Sequence, residues 1–483
     1  MRKKIIGLIL VVLFLFSTTS AISTNRTYLD ETDFDPLVDT TITVEVKAIR
    51  FLEGDASRES ITRIFDKKIN ENNYPSLYLK VFINDVEFTS DVWSDARYVY
   101  DPQFSATLDV PDDQEFVSIK IQLWFSMDED VLCDISGDIG GSEDGYDVEL
   151  EYSIRTGHWT GDDDLSDPSG YGRLNGCDDG TIYEKDRDSE LWFNIYQNDY
   201  DNDGIPYWTE VNDYGSNPEE KNSGDPDEDG IPVEWEWKWG YDPFEWEDHG
   251  KIDPDKDSIN NLEEYLTSEW FSDPFRKDVF VELDIMDEGP NGEKSYFPEN
   301  SKELIQTAFN RQNIVFHLDY GSMGGHDVIP FVEEVDGSKL NEIYKDYFLH
   351  GNESIWRRGV FHYGVVVYRS RSAAGYIFRS NAFQISTTGH EKKSQESWAV
   401  RDVVYASAYM HELGHTFSFR PIPGHNRNSM YPWQLGWWIN LPYKSCMNYG
   451  WMYYLVDYSD GSRPIPDIDD WSRIDYDAFE REW

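Results

Sequence analysis

The stretch HELGHTFSFRPIPGH, residues 411–425, holds the side chains best equipped for chemistry. His411 and His415 lie one helical turn apart on one face, so a nitrogen of each can reach the same tetrahedral zinc ion. Glu412 is rotated roughly 100° from His411 on a helix, near such an ion without having to ligate it. A carboxylate placed there can take a proton from a water that the metal has polarised, which is the chemistry of metal-assisted hydrolysis. Val400, Val404, Ala408, His411 and His415 recur at three- and four-residue steps, which predicts a helix from about Trp398 through Thr416.

A catalytic zinc takes three protein ligands and keeps a fourth position open. In the thermolysin-like arrangement the third is a glutamate from a later helix, but no glutamate occurs between His415 and Glu480. The other pattern is HExxHxxGxxH followed by a Met-turn. Here Ser418 stands at its glycine position, and Pro421, which cannot ligate, at its third histidine. The only histidine after His415 is His425, preceded by Gly424. A chain that leaves the helix after Phe417 and turns through Pro421 and Pro423 would return His425 as a displaced third ligand; as a lone histidine it reads as a surface residue. Further on stands SCMNYG, residues 445–450. HELGH and CMNY together resemble the secreted, metzincin-like zinc metallopeptidases. The resemblance covers about forty residues of the C-terminal part. It implies a zincin-type domain, Met447 beneath the metal, Glu412 as general base and then proton donor, Tyr449 steadying the oxyanion, and a protein or peptide substrate. His317 and His362 read as packed or exposed. Trp433, Trp437 and Trp438 read as ordinary core, with a pocket wall as the alternative.

A second metal chemistry precedes this one. Asp199, Asp201, Asp203, Ile205 and Glu210 fall at positions 1, 3, 5, 7 and 12 of a calcium loop. Asp225, Asp227, Asp229, Ile231 and Glu236 repeat the pattern, and Asp253, Asp255, Asp257, Ile259 and Glu264 repeat it again. Calcium needs six to eight hard oxygens, which three carboxylates, the position-7 carbonyl and a bidentate glutamate deliver. Gly204 and Gly230 permit the sharp turn at position 6; Ser258 departs from it in the third copy. The copies start 26 and 28 residues apart, and GSNP at 215–218 is matched by GYDP at 240–243. The spacing resembles thrombospondin type 3 or dockerin-like calcium repeats, and implies a stiff, calcium-ordered connector over 199–274.

Three sets of elements must position these residues, so the expectation is a multidomain chain. Over 22–198, runs such as TITVEVKAI, SLYLKVFI, FVSIKIQLWF and ELWFNIY alternate between turn residues, which predicts an all-β, antiparallel sandwich. Its layout resembles a C2-type domain, with Asp128, Glu129, Asp130 and Asp134 at the loop where such domains gather calcium, or else a solvated acidic turn. Over 275–483, KDVFVELDIM, NIVFHLDYG, GVFHYGVVVYR and GYIFRSNAFQIS read as four strands, with a helix near 301–311; this is α+β, strands mostly ahead of the HELGH helix.

Composition sets the context. Residues 1–21 carry a basic start, an apolar run and a small-residue end, a signal peptide that implies a secreted protein, with an uncleaved N-terminal anchor at the cell surface as the minority reading. No other apolar run is long enough to cross a bilayer, so no stable membrane insertion is expected. With 42 Lys+Arg against 93 Asp+Glu the formal charge is −51, which disfavours nucleic acid and favours Ca2+ as a partner, with a high-salt or solubility adaptation as the alternative. Cys133 and Cys177 lie in one region and can pair, leaving Cys446 over. Two rivals stand beside the peptidase reading. One is a calcium-dependent surface or adhesion protein with a structural or vestigial zinc site, in which Glu412 would have no use. The other is a zinc hydrolase acting on a non-peptide bond.

Overall fold

Alternation along the early strands sorts side chains between a core and the solvent. In β2 (Leu77–Ile83) every second residue is buried, from Leu77 through Ile83. The computed structural model describes residues 34, 40–52, 75–94, 96–111, 113–137, 145–167, 169–182, 187–222, 224–397 and 399–478. The expected signal segment and Glu480 lie outside them.

Two antiparallel sheets form the N-terminal part. One has the order β4-β1-β10-β9 and the other β3-β2-β5-β7-β8, with β6 on β5. The ranges are β1 Thr41–Phe51, β3 Val86–Thr89, β4 Tyr98–Asp109, β5 Phe116–Phe125, β6 Val131–Leu132, β7 Val148–Ser153, β8 Trp159–Gly161, β9 Arg173–Asn175 and β10 Ser189–Gln197. Val44 and Ile49 of one sheet share a core with Leu79, Val81 and Ile121 of the other, which makes a sandwich. The expected cysteine pairing is corrected: Cys133, Cys177 and Cys446 are all buried and none is in a disulfide. Cys177 Sγ donates instead to Asp188 Oδ2 at 3.3 Å.

Helices α1 (Val233–Trp239) and α2 (Asn261–Thr267) follow the second and third acidic loops. Ile231, Trp235 and Trp239 join the sandwich core, whereas Ile259 joins the core of the C-terminal part. The connector is therefore packed on both sides.

The C-terminal sheet runs β12-β11-β14-β16-β15, with β13 on β11. The ranges are β11 Asp278–Met286, β12 Val315–Asp319, β13 Val328–Ile329, β14 Phe361–Val367, β15 Gly375–Arg379 and β16 Ala382–Ser386. All pairs are parallel except β15 with β16. Parallel strands are covered on both faces, and β12, β14 and β16 are buried at every residue. One face packs on α3 (Glu299–Asn310) and on the HELGH helix; the other packs on Tyr344, Phe348 and their neighbours. GYIFRSNAFQIS, expected as one strand, is a hairpin: Tyr376 pairs with Gln384 and Ile377 with Phe383 across a turn. The remaining helices are α4 Gly337–Ile343, α5 Arg357–Val360, α6 Thr387–Glu396, α7 Arg401–Thr416 and α8 Leu435–Asn440. No helix of the described residues is long and apolar enough to cross a membrane.

Candidate metal centres

Helix α7 is buried from Val403 through Gly414. It stops because Ser418 takes a left-handed conformation, φ 64°, shortly before Pro421. Its middle is tied to the later chain by Tyr458, whose hydroxyl donates to Met410 O at 2.6 Å.

The structure brings His411, His415 and His425 together. Nε2 of His411 lies 3.2 Å from Nε2 of His415 and 3.3 Å from Nε2 of His425. His411 Nδ1 donates to the Cys446 carbonyl at 2.8 Å, so its Nε2 carries a lone pair facing the other two rings. Burial lowers all three pKa values, His415 to about 4, with the neighbouring imidazoles adding to the effect on His411. The one lone pair of His411 Nε2 can accept from only one of the two neighbouring rings, whereas all three nitrogens can hold one metal ion. Their spacing fits the roughly 3.3 Å edge of a tetrahedron with zinc–nitrogen bonds of about 2.0 Å.

Glycines allow the approach. Gly424 has φ 74°, and a Cβ there would lie 2.2 Å from Asn448 Oδ1. Asn448 in turn holds its loop by donating to the carbonyls of Asn440 and Tyr443 at 2.8 and 2.9 Å. Met447 is fully buried under α7, where a Cβ on Gly414 would come within 2.6 Å of its sulfur. The Tyr449 ring lies 4.3 Å from that of His425 and 5.7 Å from that of His411. Its pKa is raised, chiefly by burial and then by Glu412.

Glu412 is 4% exposed, and burial pushes its carboxyl up to about 8. The head of strand β15 closes over it: a Cβ on Gly375 would lie 2.4 Å from Glu412 Oε1. Sequence reasoning misses Gly375, for which the one available signal is a glycine opening an otherwise aromatic and aliphatic strand. His317 is packed against Phe280 and 2.6 Å from Asp278 Oδ1, and His362 is buried. The core reading of the tryptophans is corrected: Trp433 is 78% and Trp438 58% exposed. Helix α8 is too short to bury a face, and none of its residues is buried.

The three acidic loops share one wiring. The position-1 aspartates accept from the backbone at position 6: Gly204 N to Asp199 at 2.7 Å, Gly230 N to Asp225 at 2.8 Å, Ser258 N to Asp253 at 3.1 Å. The position-5 aspartates accept from Ile205, Ile231 and Ile259. Ser258 adopts φ 75°, the left-handed turn that Gly204 and Gly230 make at the same position. Within each loop the three aspartates lie close enough to hold a cation. Glu210, Glu236 and Glu264 are buried, and both oxygens of Glu236 and of Glu264 lack a hydrogen-bond partner, as does one oxygen each of Asp201, Asp227 and Asp255. Burial, then repulsion among the carboxylates, pushes Glu210 and Glu236 up to about 8 and Asp255 to about 10. A divalent cation removes that cost, so this donor set fits one. At the sandwich loop, by contrast, Asp130 accepts from Tyr78 and Met127, Asp134 is buried and accepts from Ser136 N, and Asp128 and Glu129 are exposed.

No protein-family model matches the chain, and neither does any curated protein. Among solved structures it is similar to one described as a C2 domain, at 9% identity over 33% of this chain and 97% of that one, with a TM-score of 0.19. A C2 domain of a plant extended synaptotagmin 1 gives 7% identity over 32% and 95%, TM-score 0.16. Human GIVD cytosolic phospholipase A2 gives 10% over 33% of this chain and 16% of that one, TM-score 0.18.

Proposed function

We propose that the chain is a secreted zinc-dependent endopeptidase, with a C2-like front domain, a calcium-ordered connector and a zincin-type C-terminal domain of the metzincin kind. The observation that carries this reading is the convergence of three neutral imidazoles beside a buried carboxylate at the open edge of a sheet. A zinc ion held by His411, His415 and His425 supplies Lewis acidity toward water and toward a substrate carbonyl. Glu412 takes the proton of the attacking water and returns it to the leaving amine. Tyr449 donates its hydroxyl hydrogen to the developing oxyanion. Strand β15 pairs with β16 on one side, and its other edge offers backbone groups to an extended peptide running past Glu412. Glu412 also favours this reading over a surface protein with a structural zinc, because a structural site has no use for a base beside the metal.

The test is metal content by mass spectrometry on wild type and His425→Ala, with casein hydrolysis on the same samples. One zinc and proteolysis in wild type, both lost or sharply reduced in the variant, is the expected result. Zinc retained with unchanged activity places the third ligand elsewhere. No zinc in saturated and dialysed wild type hands the chain to the calcium-dependent surface reading.

A further inference from the structure

The second acidic loop receives a side chain that its neighbours do not. His249, on a turn beyond α1, is 1% exposed, and its Nε2 lies 3.0 Å from Asp229 Oδ2 and 3.4 Å from Glu236 Oε1. None of this amounts to a hydrogen bond: Nε2 and both Glu236 oxygens are buried without a hydrogen-bond partner. In the first loop Asn222 occupies the equivalent place, giving its backbone N–H to Asp203 at 2.7 Å and its amide to Glu210 at 2.6 Å. In the third loop the Asp278 backbone N–H reaches Asp257 Oδ2 at 2.6 Å, and in the second the Glu247 backbone N–H reaches Asp229 Oδ2 at 3.4 Å, beside which His249 is an addition. Neither Asn222 nor a backbone N–H has a lone-pair nitrogen to offer a cation.

We infer that the second loop is a mixed nitrogen–oxygen metal site, in which His249 Nε2 joins Asp225, Asp227, Asp229 and Glu236 around a first-row divalent ion such as Mn2+ or Zn2+. The other face of the ring supports this. His249 Nδ1 lies 3.0 Å from Asn261 Nδ2, while Asn261 Oδ1 is buried with no partner. The two ends of a side-chain amide have the same shape, so the amide turned over puts Oδ1 on Nδ1. Nδ1–H then donates to Oδ1, and the Nε2 lone pair faces the carboxylates. Tyr241, which also hydrogen-bonds Asn261, can donate or accept in that arrangement. An all-oxygen set suits calcium, whereas an imidazole among carboxylates shifts preference toward borderline transition ions. The inference rests on reading residues 225–236 as a metal loop and is independent of the peptidase reading.

The experiment uses the full chain carrying His411→Ala and His415→Ala, so that the three-imidazole site is silent, with folding checked by circular dichroism. Mn2+ is added and pulsed electron paramagnetic resonance reads nitrogen coupled to the bound ion. The expected result is a 14N imidazole signal that becomes a 15N signal when histidine is 15N-labelled. It should disappear in His249→Gln, with Mn2+ affinity at one site weakened roughly tenfold or more and Ca2+ still bound. Asp225→Ala should abolish the same signal without touching residue 249, which covers a His249 variant that fails to fold. Bound Mn2+ with no nitrogen signal, or a signal that survives either substitution, overturns the inference and leaves the calcium-loop reading standing. Absence of any cation binding to the three loops overturns both.

Discussion

His425 can face His411 only because the residue before it has no side chain. Gly424→Ala combines a left-handed φ with a contact on Asn448, so zinc affinity should fall roughly tenfold or more, read by competition with a chromophoric chelator, while α7 and its helical signal remain. Glu412→Gln should keep the metal and lose about 10²–10⁴-fold in casein hydrolysis; full activity in that variant would remove Glu412 from the mechanism. Much of this site is legible in the sequence, since a helical repeat brings His411 and His415 together and Gly424 flags a tight approach. Gly375 is not legible, because its meeting with Glu412 depends on how β15 lies across α7. Nor is His249, whose role depends on a turn that folds back on the loop ahead of it.

The loops are the elements most sensitive to their ions. In metal-free protein, folded Glu210, Glu236 and Asp255 hold protons that their unfolded counterparts release above about pH 4. Stability contributed by those protons is complete at lower pH and is lost as pH rises toward about 8 for the glutamates and about 10 for the aspartate. With chelator present, the melting temperature should therefore fall between about pH 4.5 and 8, and saturating Ca2+ should abolish the fall. A flat profile under chelator would mean that these carboxyls are not buried together in solution. Spacing alone exposes the loops, since each ligand sits at a fixed offset from the first. The strand order is harder to read: apolar runs such as VFVELDIM mark buried strands without saying whether neighbours run parallel. The hairpin of β15 and β16 escapes notice because Ser380-Asn381 carries no glycine or proline to announce a turn.

At the scale of the whole molecule, the sandwich touches the C-terminal part directly. Arg311 Nε donates to the Leu52 carbonyl at 2.9 Å, Asn175 donates to the Asn310 carbonyl at 2.9 Å, and Arg50 pairs with Glu303 at 3.6 Å. Arg311→Ala removes a charged donor from a buried acceptor and should cost about 1.5–3 kcal/mol, seen as C-terminal unfolding at lower denaturant with the sandwich transition unmoved. These contacts are invisible in the sequence, because a polar side chain aimed at a backbone carbonyl leaves no pattern along the chain. The Leu52–Arg311 contact also has a consequence in time. Its partners are 259 residues apart, so at about 5–20 residues per second a ribosome makes them roughly 13 to 50 s apart. The sandwich edge is thus born well before the helix end that covers it, and must keep its shape alone through that interval.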